Sequence, residues 1–286
     1  MTSDVREFAS FIAPLQADPA THVGMVGTDE AGIVKELEEF GTELFVERDG
    51  AGAIVGAAGF DYDGPLKRGY LYGPWSIEEG WTERADRLLE RVLEVAPPAT
   101  ERLEFVFDKR NPQGAAFAEK HGFEFVRDHF TMGFARDDRV LGPDGDIRAM
   151  DDDDRIAVMD LHERCFEGTW PNGEQLLELL EKGPDRIIFV LYEKTHLAGY
   201  IYVSAERETG EAFIDNVGVD DRFRGRGFAT RLLTHGLWWI FGLDEVKRIE
   251  LSVRAENAAA VQVYEKAGFQ RLRAIRQMSM ALAKQT

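Results

Sequence analysis

The sequence holds a single cysteine, Cys165, in 286 residues, which excludes an intramolecular disulfide and suits a reducing compartment. Long apolar runs are missing too, and none is long enough to cross a bilayer. The opening Met1-Thr2-Ser3-Asp4-Val5-Arg6-Glu7 has neither a basic start nor a following apolar stretch, so no secretory leader is read there. A soluble, cytoplasmic protein is the expectation. Positive charge is scarce: 34 Lys and Arg against 52 Asp and Glu leave a net charge of −18. That surplus repels phosphate backbones and excludes nucleic acid as a partner class. It favours a cationic partner such as an amine, or serves solubility alone. His162, His196 and His235 lie scattered without metal-ligand spacing, so no metal is expected.

What is present is a globular composition, 44% apolar, in a chain longer than one usual domain. It contains an internal repeat. Leu103-Glu104-Phe105-Val106-Phe107 precedes Asn111, and Glu119-Lys120-His121-Gly122-Phe123 follows. In the second half, Ile249-Glu250-Leu251-Ser252-Val253 precedes Asn257, and Glu265-Lys266-Ala267-Gly268-Phe269 follows at the same spacing. Turn residues and weak apolar periodicity put the boundary within Arg136–Asp146, giving domains 1–138 and 146–286. Patterning predicts, after a loosely patterned start, a helix over 30–40, strands over 43–47, 53–60 and 69–74, and a helix over 82–95. In the second copy it predicts helices over 152–166 and 174–182 and a hairpin of strands 186–193 and 197–205. The order indicates an α/β fold used twice, each copy a mixed, mostly antiparallel sheet flanked by helices.

The chain is organised around residues 211–269. An apolar strand ending in Val217-Gly218-Val219 runs into Asp220-Asp221-Arg222-Phe223-Arg224-Gly225-Arg226-Gly227-Phe228-Ala229-Thr230, and an amphipathic helix follows. Glycine lets the backbone approach a ligand, and amides entering a helix form an anion site reinforced by the helix dipole. A phosphate or pyrophosphate is the expected ligand. Gly225-x-Gly227-x-x-Thr230 lacks the third glycine of a dinucleotide fingerprint, and a charged turn separates it from its strand. The first copy has Ile77-Glu78-Glu79-Gly80 at this place, with carboxylates where a phosphate would sit, and Ala118 where the second has Tyr264.

Arg222-x-x-Gly225-x-Gly227 after a Val-x-Val strand end, with Asn257 and Tyr264-Glu265-Lys266-Ala267-Gly268-Phe269 downstream, resembles the GCN5-related N-acetyltransferase (GNAT) family. The two-copy layout is also similar to that of mycothiol synthase, though not specific to it. The resemblance implies a degenerate N-terminal domain and a catalytic C-terminal one. It implies direct acetyl transfer from acetyl-CoA to a primary amine of a small molecule or peptide in a ternary complex. Arg222, Arg224, Gly225, Arg226, Gly227, Phe228, Ala229 and Thr230 would surround the pyrophosphate, and Val217, Val219 and Asn257 the pantetheine. Tyr264 would be the acid that protonates the thiolate. Glu211 or Asp215, which share a face with Val217 and Val219 on ideal alternation, would accept the amine proton unless a bulge reverses the parity. Trp170 would line the acceptor pocket. The rival reading is a non-catalytic acyl-CoA-binding sensor or interaction module on the same fold.

Overall fold

The computed structural model describes residues 2–24, 26–137 and 141–282. Asp138–Val140 of the expected linker lie outside them. The elements run α1 (Thr2–Ala17), α2 (Glu30–Phe40), β1 (Glu43–Arg48), β2 (Ile54–Asp63), β3 (Arg68–Ser76), α3 (Trp81–Val95), β4 (Arg102–Asp108), α4 (Pro112–Lys120) and β5 (Glu124–Ala135). They continue as β6 (Ile147–Ala149), α5 (Arg155–Cys165), α6 (Gly173–Glu181), β7 (Arg186–Glu193), β8 (His196–Glu206), β9 (Glu211–Val219), α7 (Phe228–Phe241), β10 (Arg248–Arg254), α8 (Ala258–Ala267) and β11 (Gln270–Ala281). No helix among the described residues is long and apolar enough to cross a membrane.

The chain forms two compact units, one of Met1–Phe130 with Arg273–Thr286 and the other of Thr131–Leu272. In the first, β1, β2 and β3 pair antiparallel in turn, and β3 pairs parallel with β4. Beyond β4 lies β11, antiparallel, from Ile275↔Asp108 to Ala281↔Arg102. The last strand of the sequence thus completes the first unit. In the second unit β6, β7, β8 and β9 pair antiparallel in turn, and β9 pairs parallel with β10. The strand pairing within each unit is mixed and mostly antiparallel, as the patterning predicts.

Local signals explain most element ends. Asp29 caps α2 by accepting the Gly32 N–H, and Asn172 and Gln175 form a reciprocal capping box on α6. Asn111 caps α4 and Asn257 caps α8, each accepting the N–H three residues on. The segment expected to be loosely patterned is the helix α1, with Pro14 inside it. Phe8, Ala9 and Ile12 are buried on its inner face, in one core with Ile33, Trp75, Leu88 and Phe105. In the second unit α7 lies so close to β8 that a Cβ on Gly236 would stand 2.7 Å from Ile201 Cδ1. Phe134 stacks on Phe241 and packs at a tilt on Phe269, and the Arg136 guanidinium donates to the Phe241 and Leu243 carbonyls at the end of α7, where a cation is favourable to the helix dipole.

Candidate active site

The site of residues 131–272 begins with a pair of strands that part. β10 pairs with β9 only from Arg248↔Glu211 to Glu250↔Phe213. On the other side, β9 stays paired with β8 through Ile201↔Val217 and Gly199↔Val219, and the Asp220 N–H continues onto the Ala198 carbonyl. Antiparallel alternation therefore turns the main-chain groups of Val217 and Val219 away from β8, towards the opening. The Val219 carbonyl accepts there from the Cys165 thiol at 3.8 Å and from Arg224 Nε at 3.4 Å.

Past Val219 the chain makes a short 3-10 turn, Asp221–Phe223, and then reaches α7 through two left-handed glycines, Gly225 at φ +75° and Gly227 at φ +80°. Gly227 is the N-cap of α7 and offers no side chain to its first amides. The N–H groups of Phe228, Ala229 and Thr230 lie in the first turn, where helical partners are lacking. Backbone donors, positive dipole and bare glycine meet at one point, which can hold an anion. Beside it lies a hollow of about 510 Å³ walled by Gly142, Pro143, Asp144, Gly227, Thr230, Arg231 and Thr234.

The three arginines of the turn have separate tasks. Arg222 folds back on buried Asp220, with Nε at 2.9 Å and Nη2 at 3.0 Å, and Arg164 from α5 reaches the same carboxylate at 3.1 Å. These donors hold the Asp220 carboxyl well below the usual carboxylate range, with Arg222 contributing most. Arg224 pairs with Asp221 and Arg226 with Glu193, both near the surface. Leu161, Arg164, Cys165, Asp220, Asp221 and Arg222 enclose a cavity of about 410 Å³. The part Asp220 plays was missed in the sequence, although an aspartate two residues before an arginine at a strand end is a turn signal.

Glu211 and Asp215 are not brought together. Glu211 opens β9 at the end remote from the glycines, and its carboxylate is engaged by Arg248. Val203 pairs with Ile214 and Tyr202 with Asn216, so Asp215 is a bulge and the parity reverses after it. Glu211 consequently does not share a face with Val217 and Val219. Asp215 is exposed, and Ser204 Oγ donates to it at 2.7 Å. Desolvation, opposed by the Ser204 hydrogen bond, pushes its carboxyl up to about 7.

Asn257 Oδ1 accepts the Ala260 N–H at 3.1 Å, leaving its Nδ2 outside the cap. Tyr264 lies half-buried near the end of α8, edge-on to Phe269, and desolvation pushes its hydroxyl up to about 12. Its hydroxyl therefore stays protonated at neutral pH. Trp170 sits in the loop between α5 and α6, whose Pro171 carbonyl accepts from His162 Nε2 at 2.8 Å. His162 Nδ1 in turn meets the Tyr200 hydroxyl at 2.6 Å, so the loop is pinned to α5 and β8.

Comparison with known proteins bears on the same residues. The model of the acetyltransferase (GNAT) family matches residues 155–269. A mycothiol acetyltransferase of Saccharopolyspora erythraea is 28% identical over 255 residues, covering 81% of this chain and 83% of its own. The uncharacterized N-acetyltransferase YycN of Bacillus subtilis is 31% identical over 127 residues, 38% of this chain and 77% of its own length. Among solved structures, a tandem GNAT protein from the clavulanic acid biosynthesis pathway superposes with a TM-score of 0.72 at 18% identity, covering 98% of this chain and 95% of that one.

The Asp220 cluster yields a stability test. Its carboxyl is depressed in the folded protein, so the stabilisation is full above the unfolded value near 3.9 and is lost as pH falls through the folded value. Asp220→Asn is expected to cost about 1–3 kcal/mol at pH 7 and to lose less on acidification than the parent. Urea titrations at pH 7 and pH 3 measure both, and equal losses on acidification would remove Asp220 from the acid response.

Proposed function

The chain belongs to the acetyltransferase (GNAT) family, and on that footing we propose that residues 131–272 transfer acetyl from acetyl-CoA to a primary amine of a small molecule or peptide, by direct attack with both substrates bound. One observation supports this above the others: the opening between β9 and β10 ends at the left-handed Gly225 and Gly227 and the bare first turn of α7. An elongated ligand with a diphosphate at one end fits that order. The amides of Gly225, Gly227, Phe228, Ala229 and Thr230 take the diphosphate, with Arg224 and Arg226 adding charge at the rim. Arg222 acts on the cosubstrate indirectly, by holding the turn through Asp220. The main chain of Val217 and Val219 lies along the pantetheine, and the Val219 N–H faces the thioester carbonyl.

In the reaction the amine nitrogen bonds to the carbonyl carbon as the C–S bond breaks. The departing thiolate takes a proton from Tyr264, whose hydroxyl carries one at neutral pH. The amine proton passes, directly or through water, to Asp215, whose carboxyl near 7 suits a base at neutral pH. Glu211 is unsuited to that role because Arg248 engages it at the remote end of β9. Trp170 borders the acceptor. Joint binding supplies much of the acceleration, since alignment of two reactants is worth several kcal/mol.

Gly227→Glu adds a carboxylate at a left-handed N-cap, and acetyl-CoA binding measured by calorimetry is expected to vanish. An unchanged isotherm places the cosubstrate elsewhere. Thiol release over a panel of amines tests turnover, and tight binding without release on any amine would favour a sensor. Tyr264→Phe is expected to lower kcat about 10–100-fold with little change in acetyl-CoA affinity; equal losses in both would make Tyr264 a packing residue. The pH–rate profile should rise with an apparent pKa near 7 as Asp215 loses its proton. Asp215→Asn should lower kcat about a hundredfold and abolish that limb, and a surviving limb assigns it to another group.

A further inference from the structure

The first unit contains the same parting strands, with something laid between them. β3 and β4 pair parallel from Arg68↔Arg102 to Leu71↔Phe105 and no further, in the register that β9 and β10 keep over Arg248↔Glu211 to Glu250↔Phe213. Beyond that point the segment joining α1 to α2 comes in beside β4. Val23 bridges antiparallel to Phe107, the Gly24 N–H donates to the Val106 carbonyl at 2.6 Å, and the Asp108 N–H donates to the His22 carbonyl at 3.2 Å. Asn111 uses both ends of its amide: Oδ1 caps α4 at the Gly114 N–H, and Nδ2 donates to that same His22 carbonyl at 3.3 Å. Gln16 secures the segment further. Its Oε1 accepts from the Val23 N–H and from Trp75 Nε1, and its Nε2 donates to the Val26 carbonyl. Val23, His22, Gln16 and Asn111 are all buried.

The internal repeat carries these contacts to the second unit. Asn111 corresponds to Asn257 and Val106 to Ser252. There the joining loop is shorter, residues 166–172, and it is pinned back by His162. Asn257 and Ser252 are exposed, and Asn257 caps its helix with Oδ1 just as Asn111 does. Only the Nδ2 task differs between the two copies.

We infer that His22–Gly24 is a resident substitute for the amide-bearing arm of the acyl donor: the first unit carries in its own chain what the second takes from solution. This rests on the function proposed for residues 131–272. It adds one contact there, the Ser252 carbonyl accepting a ligand amide N–H, and gives the Asn257 contact that the resemblance implies its atom, Nδ2 donating to a ligand amide carbonyl. It also closes the first unit to acyl-CoA, because His22, Val23 and Gly24 already occupy the edge of β4.

The test is a titration of the full chain with acetyl-CoA, together with Asn257→Asp. Aspartate caps a helix as well as asparagine does, so this variant keeps the cap but exchanges the amide donor for a negative charge; Asn257→Ser, a neutral cap without that amide, separates loss of the donor from repulsion of the anionic ligand. One equivalent per chain is expected, with the Asn257→Asp affinity about tenfold weaker, an unchanged thermal midpoint, and a Gly24 amide equally protected from hydrogen exchange with and without ligand. Two equivalents, faster exchange at Gly24 on adding acetyl-CoA, or wild-type affinity in either variant overturns the inference while leaving the catalytic proposal standing. No binding by the parent chain removes both.

Discussion

Two parallel strands that stay paired for only a few residues set the conditions for both units. A strand edge released from its neighbour presents N–H and C=O groups that need partners when covered. At β3 and β4 those partners are supplied by the chain itself, through His22, Val23 and Gly24. At β9 and β10 the main-chain groups of Val217 and Val219 face the opening, and only the Val219 carbonyl has a described protein donor there. One geometry thus gives a filled core in one copy and a candidate cleft in the other. The difference lies in a single connection between two helices.

The turn between β9 and α7 is held by protein contacts alone. Asp220 collects its own turn amide, the Arg222 side chain and Arg164 of α5, so the path from Val219 to Gly225 is fixed by protein alone. A turn already held loses little freedom when it takes up an anion. The excess of negative charge over the whole sequence is no obstacle, because the local field at the start of α7 comes from oriented amides and nearby guanidiniums.

Much of this was legible in residue order. Gly225 and Gly227 stood out because only glycine takes their backbone angles readily, and the Asn257–Gly268 spacing marks a capped helix with a left-handed end. What was hidden depends on partners far away in sequence. The Asp215 bulge is a property of the β8–β9 register, so parity counted from Glu211 went astray. The helix α1 was obscured by Pro14 and by an apolar face whose partners lie in β2, β3 and α2. The placement of β11 beside β4 was hidden too, because two repeats suggest two self-contained segments, and nothing in Gln270–Ala281 says which sheet it joins.

That last strand bears on how the molecule comes into being. Chains are made from the N-terminus, and domains tend to fold in that order as they emerge. Here the edge of β4 opposite β3 has no partner until residues 275–281 have been made, after all of residues 131–272. The part synthesised first is therefore finished last. Until then that edge presents unpaired main-chain groups, so the nascent chain is open to mispairing at its beginning rather than its end.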